Sequence, residues 1–122
     1  MTDPRHALGE RAELAAATWL RTLGWSVLDR RWRGAAGELD LVCIDPGGVL
    51  VGVEVKLRRT DRAGSGPESI ERRRLGRLRG TLAAFATATA VAHQGARLDL
   101  VTLTPADDGR WRIQRLPAID AW

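Results

Sequence analysis

The chain has 122 residues, 44% of them hydrophobic and 28% charged, the length and composition of one globular domain rather than of a disordered tail or a pair of domains. A single cysteine, Cys43, excludes an intrachain disulfide, and with only His6 and His93 beside it a Cys/His zinc site is not expected either. The net charge of +4 suits a polyanionic partner, and among the 19 basic residues Lys56 is the single lysine. No signal-peptide pattern opens the chain, and the most apolar run, residues 82–92, is too short to cross a bilayer. A cytoplasmic protein with no membrane association is expected.

In chain order, residues 8–23 read as an amphipathic helix, with Leu8, Ala12, Ala16, Trp19, Leu20 and Leu23 near one face and Gly24 as the stop. Residues 25–32 alternate loosely as a strand, and Gly34-Ala35-Ala36-Gly37 makes a turn. Residues 38–45 and 49–57, rich in aliphatic and β-branched side chains around Asp45-Pro46-Gly47-Gly48, form a hairpin. Residues 58–68 read as a long exposed loop. A second helix spans 71–90 with the stripe Leu75, Leu78, Leu82, Phe85 and Thr89. Strands at 97–104 and 111–116 follow, separated by a turn at Asp107-Asp108-Gly109. The order α-β-β-β-α-β-β fits an α/β (α+β) domain, a mixed sheet flanked by two helices.

The chemistry centres on Gly37-Glu38-Leu39-Asp40-Leu41 and Val53-Glu54-Val55-Lys56. Residues two apart on a strand share a face, so Glu54 and Lys56 point one way and Val53, Val55 and Leu57 the other. If Pro46-Gly47-Gly48 closes the hairpin, Asp45 pairs with Val49 and Asp40 falls opposite Glu54. Carboxylates that close repel each other unless a cation lies between them, and hard oxygen ligands suit Mg²⁺ or Mn²⁺. A lysine at such a centre can position or deprotonate water, or neutralise charge on a phosphate, whereas a guanidinium stays protonated. That gives a reason for one lysine to persist where every other basic position is arginine. The bland alternative is an exposed acid–base pair of no chemical consequence.

At these residues the chain resembles the YraN-like family of small bacterial proteins, whose pattern is similar to the PD-(D/E)xK nuclease superfamily and to archaeal Holliday-junction resolvases. The resemblance runs over nearly the whole chain: Leu8-Gly9 and Glu13, Trp32-Arg33, the block Gly37 to Leu41, Val53 to Lys56 with Arg58, Arg97 to Val101, and Ile119 to Trp122. The departures are Ala12 for glycine, Arg31 for asparagine, Gly52 for phenylalanine, which leaves a gap on the Glu54 face, and Arg74 for a frequent lysine. The resemblance implies a restriction-endonuclease-like core. It also implies Asp40, Glu54 and the Val55 carbonyl as ligands of Mg²⁺ or Mn²⁺, with Lys56 catalytic and Glu13 holding a metal-bound water or a second ion.

Arg58, Arg59 and Arg62 follow the catalytic strand, and Arg74 and Arg77 flank the second helix's stripe, which makes them the expected phosphate contacts. Asp99, between two leucines, is expected to anchor an arginine, and Trp19, Trp25 and Trp32 to pack. The leading reading is a metal-dependent endonuclease on DNA, more than RNA, of branched or damaged form. The alternative is a non-catalytic nuclease-fold module that binds nucleic acid or a protein partner in DNA processing. The sequence leaves the oligomeric state open, homodimer included.

Overall fold

The computed structural model describes residues 4–59 and 71–121. Helix α1 is Pro4–Thr22, β1 Ser26–Gly34, β2 Gly37–Ile44, β3 Leu50–Leu57, α2 Arg72–Thr89, β4 Ala96–Pro105 and β5 Trp111–Leu116, followed by a 3-10 turn at Ile119–Ala121. The five strands form one sheet in the order β1-β2-β3-β4-β5, antiparallel throughout except for the central β3/β4 pair. A parallel pair needs a long crossover, and α2 lies within it. Both faces of the central strands are therefore covered, which is why β3 and β4 read as near-continuous aliphatic runs.

Two cores result. On one face α1 lays Ala12, Ala16, Ala17 and Leu20 against Leu41, Cys43, Val51, Val53, Val101 and Leu103. On the other, α2 lays Leu78, Leu82 and Phe85 against Leu39, Val42, Leu50, Leu98 and Leu100. Ile119 of the closing 3-10 turn completes this second core, and Asp120 accepts a hydrogen bond from the Leu98 N–H at 3.1 Å. The expected stripes need two corrections. Leu23 is exposed because α1 ends at Thr22, one residue before it, and Thr89 is exposed while Thr81 is buried in its stead. The expected loop at 58–68 falls mostly outside the described residues.

The tryptophans pack, as their setting in the sequence suggests. Trp32 meets Phe85 edge-on at 5.3 Å. Trp25 lies under the guanidinium groups of Arg97 and Arg115, at 5.7 and 5.2 Å from its ring centre. Both arginines also hold the fully buried Asp99, each with a 2.9 Å contact, and Asp99 accepts the Ala118 N–H at 2.8 Å. A buried carboxylate surrounded by charged donors in this way ties β4, β5 and the chain end into one unit.

The end of α1 shows how local geometry sets the sheet's entry. Gly24, at φ +86°, donates to the Arg21 carbonyl at 3.0 Å, and Trp25 donates to the Leu20 carbonyl at 3.1 Å. This is the paired closure of a left-handed helix end, in which glycine avoids the clash that any Cβ brings. Leu20 and Trp25 then share the α1 core. Gly24→Ala is expected to destabilise the fold by about 1 kcal/mol, read as a lower midpoint in urea at unchanged slope.

Candidate metal centre

The β2–β3 hairpin sets the register. Asp45 donates to the Val49 carbonyl at 2.9 Å across the three-residue loop, in which Gly48 takes φ +85°. The ladder then runs Ile44↔Leu50, Cys43↔Val51, Val42↔Gly52 and Leu41↔Val53, and there it stops. One further step places Asp40 opposite Glu54. Main-chain pairing is not resumed; instead the Val55 N–H donates to Asp40 Oδ2 at 2.8 Å. A carboxylate has taken the place of a backbone carbonyl, and the two strands part around it.

Both strands outside the gap are bent to match. Leu41 and Cys43 face the α1 core, yet Leu39 packs into the α2 core, so the alternation of β2 breaks at Asp40. On β1, the pairs Arg30↔Leu41 and Trp32↔Leu39 flank Arg31, whose φ of +54° lies in the left-handed region. Such a backbone is strained for arginine and better tolerated by asparagine, which gives a physical reading to the asparagine seen in the resemblance.

Glu54 lies on the α2 face, 4% exposed. Arg74 of α2 donates to its Oε2 at 2.8 Å, while Oε1 is buried with no hydrogen-bond partner. Burial, and then the charge of Asp40, push the Glu54 carboxyl up to about 8 against the pull of Arg74. Asp40 is also raised, by burial first; the Val55 N–H lowers it and the charge of Glu13 raises it. Two carboxyl groups are thus forced together in a place that penalises their charge.

The remaining expected site residues fall around this pair. Val55 and Leu57 pack on the α1 side, so Lys56 follows Glu54 onto the α2 face, where it is half-buried. Strand geometry points the N–H and C=O of one residue at the same neighbour, so the Val55 carbonyl faces the opening that its N–H faces. Glu13, on α1, is close enough for its charge to act on Asp40, but Arg31 holds it at 2.8 Å and also reaches Glu10 at 3.2 Å. Arg58 is half-buried, with Nε and Nη2 shielded and without an acceptor; Arg59 is exposed. Arg77 is exposed on α2 beside Arg74, and Arg62 lies outside the described residues. Arg74, expected as a phosphate contact, is engaged with Glu54 here. The residue that sequence reasoning missed is Arg31, for which the asparagine of the resemblance was the available clue.

Nor does Gly52 leave a gap. A Cβ built there would stand 3.0 Å from Leu98 Cδ2 and 3.1 Å from Leu39 Cδ2, so leucines already fill the space.

Among the described residues no group of three or more His, Cys, Asp and Glu side chains gathers to hold a metal ion. The donor set offered is two carboxylates and one carbonyl, and it fits a hard divalent cation that keeps water or substrate oxygens in its other positions. The unpartnered Glu54 Oε1 is the atom such an ion would satisfy.

Fold and site together define a two-helix α+β domain with a carboxylate pair where its central hairpin opens. The chain belongs to the uncharacterised protein family UPF0102, whose profile matches residues 12–103. It is 44% identical over 121 residues to a UPF0102 protein of Anaeromyxobacter dehalogenans, covering 95% of this chain and 85% of that one. A UPF0102 protein of Beutenbergia cavernae is 39% identical, covering 94% of this chain and 97% of its own. One from Symbiobacterium thermophilum is 37% identical, covering 88% and 90%. No helix among the described residues is long and apolar enough to cross a membrane.

The raised carboxyls have a consequence for stability. A Glu54 that holds its proton to about pH 8 when folded, but only to the usual carboxylate range when unfolded, favours the fold at low pH. That contribution is lost as pH rises toward and through 8, and Asp40 acts in the same direction. Glu54→Gln should therefore stabilise the metal-free protein at alkaline pH, on the order of 1–3 kcal/mol, and by much less at pH 5. Urea titrations at the two pH values measure the difference.

Proposed function

We propose that this chain is a Mg²⁺- or Mn²⁺-dependent endonuclease that hydrolyses phosphodiester bonds in DNA, with branched or damaged DNA as the expected form. The observation that carries this reading is a pair of opposite orphans four residues apart: Glu54 Oε1, buried without a donor, and Nε and Nη2 of Arg58, buried without an acceptor. Buried polar groups are rarely left so. A divalent cation beside Glu54 and a phosphodiester oxygen beside Arg58 would supply the two missing partners together. The resemblance of Asp40 and Glu54-Val55-Lys56 to the PD-(D/E)xK pattern supports the same assignment, and with it a restriction-endonuclease-like core.

Asp40, Glu54 and the Val55 carbonyl would hold the ion, which supplies Lewis-acid activation of the phosphate and of a bound water. Lys56, on the Glu54 face, positions or deprotonates the attacking water, or neutralises charge that develops on the phosphate. Arg58 and Arg59 hold the phosphodiester at the strand end, and Arg77 extends the contact along α2. Glu13, held by Arg31 at 2.8 Å, would take a metal-bound water or a second ion, since its charge beside Asp40 adds to the local demand for a cation.

Calorimetric titration with Mn²⁺ should show binding to the wild type and its loss in Asp40→Asn. Lys56→Met should keep metal and DNA binding yet lower cleavage by at least about 100-fold. Lys56→Arg preserves charge and should be equally inactive; wild-type cleavage by that variant would remove Lys56 from the chemistry. DNA affinity should fall steeply with salt as arginine–phosphate contacts release counterions. A wild type that binds DNA but cuts no linear, flapped or four-way substrate with either metal would establish a binding module instead.

A further inference from the structure

Arg74 is placed where two sites meet. Its Nη2 donates to Glu54 Oε2 at 2.8 Å, from a side chain 54% exposed to a carboxylate only 5% exposed. The same side chain lines a hollow of about 260 Å³ between the β1–β2 turn and the first turns of α2, together with Gly37, Glu38, Arg77 and Leu78. Glu38, the acidic side chain in its wall, is already paired with Arg33 at 2.7 Å. The hollow is thus lined by two guanidinium groups and an acid that is neutralised from outside. It opens beside the carboxylate whose other oxygen has no partner.

We infer that Arg74 is a transferable counter-ion, which engages Glu54 while the centre is metal-free and turns to a DNA phosphate in the hollow once a divalent cation engages Glu54. The inference rests on the metal-dependent reading above and adds to it a second phosphate subsite and an order of assembly. A buried carboxylate supports one cationic partner far better than two, because guanidinium and metal repel each other at close range. The half-exposed arginine is the partner free to leave, since its stem is long and water-accessible on one side. Beside Arg77 it then meets the chemistry it binds best, a phosphate oxygen pair presented to a planar fork. Because the exchange links two ligands through one side chain, metal and DNA each strengthen the other's binding.

The test compares Arg74→Met and Arg77→Met, using a fluorescein-labelled duplex followed by anisotropy at constant ionic strength, in EDTA and in Ca²⁺. Arg74→Met should cost almost no DNA affinity in EDTA, where the side chain is held by Glu54, and about tenfold in Ca²⁺. Arg77→Met should cost a similar factor in both conditions. Calorimetry should show Arg74→Met binding Ca²⁺ several-fold more tightly than wild type, since the competing cation has gone. Arg74→Gln, which removes the charge but keeps a polar side chain on this exposed face of α2, should reproduce both results. Equal losses in EDTA and Ca²⁺ would make Arg74 a permanent phosphate contact, and no loss in either would make it a structural counter-ion; both overturn the exchange. Ca²⁺ binding without the difference between conditions defeats the exchange alone. Absence of any divalent-ion binding by the wild type removes the metal-dependent reading together with it.

Discussion

Everything at the centre follows from one hydrogen bond, the Val55 N–H to Asp40 Oδ2. In an ordinary hairpin that N–H would meet a main-chain carbonyl of β2, and the sheet would close over the site. A side-chain acceptor satisfies the donor just as well, so the strands can separate without leaving a buried N–H unpaired. The separation costs something elsewhere: β2 loses its alternation at Asp40, and β1 bends through a left-handed arginine to stay paired. Asp40 is therefore both the wedge that opens the sheet and one of the groups exposed by the opening. A substitution there changes shape and chemistry together.

The helices determine what can reach that opening. Helix α1 brings Glu13 within electrostatic range of Asp40 but ties it to Arg31, and α2 brings Arg74 onto Glu54. Each acid near the opening other than Asp40 thus already has an arginine partner. The acids around the opening sit in compensated pairs, and a net attraction for anions arises where arginines stand beside it without such a pair, as at Arg58 and Arg77.

Much of this was legible in the sequence, for physical reasons particular to each part. The element order and the hairpin register follow from strong aliphatic runs around a Pro-Gly-Gly loop whose length sets the pairing. The burial of Asp99 between leucines pointed correctly to arginine partners. Hidden from a linear reading were the interactions that depend on two elements at once. Arg74 read as a phosphate contact beside the stripe of α2, because its partner Glu54 lies on another element and only the placement of α2 brings the two together. Arg31 stood out only as a departure from the asparagine of the resemblance, because an arginine gives no sign in itself of a left-handed backbone. Asp40 parity was right, but the break in alternation beside it was invisible, since Leu39 and Leu41 are the same residue facing opposite cores.

Gly52 carries a consequence for how such a chain can vary. Leu39, Leu82 and Leu98 already occupy the volume a side chain at this position would need, with two of them at 3.0 and 3.1 Å from its missing Cβ. These four positions form a compensated set on one face of β3, and an aromatic residue can enter at 52 only if the leucines shrink with it. Introduced alone, it would lift α2 away from the sheet and carry Arg74 off the carboxylate it guards. Sequence changes at this spot must travel as a group, and any exchange of segments between relatives that splits the group would disturb the face that carries Glu54 through a residue that never touches it.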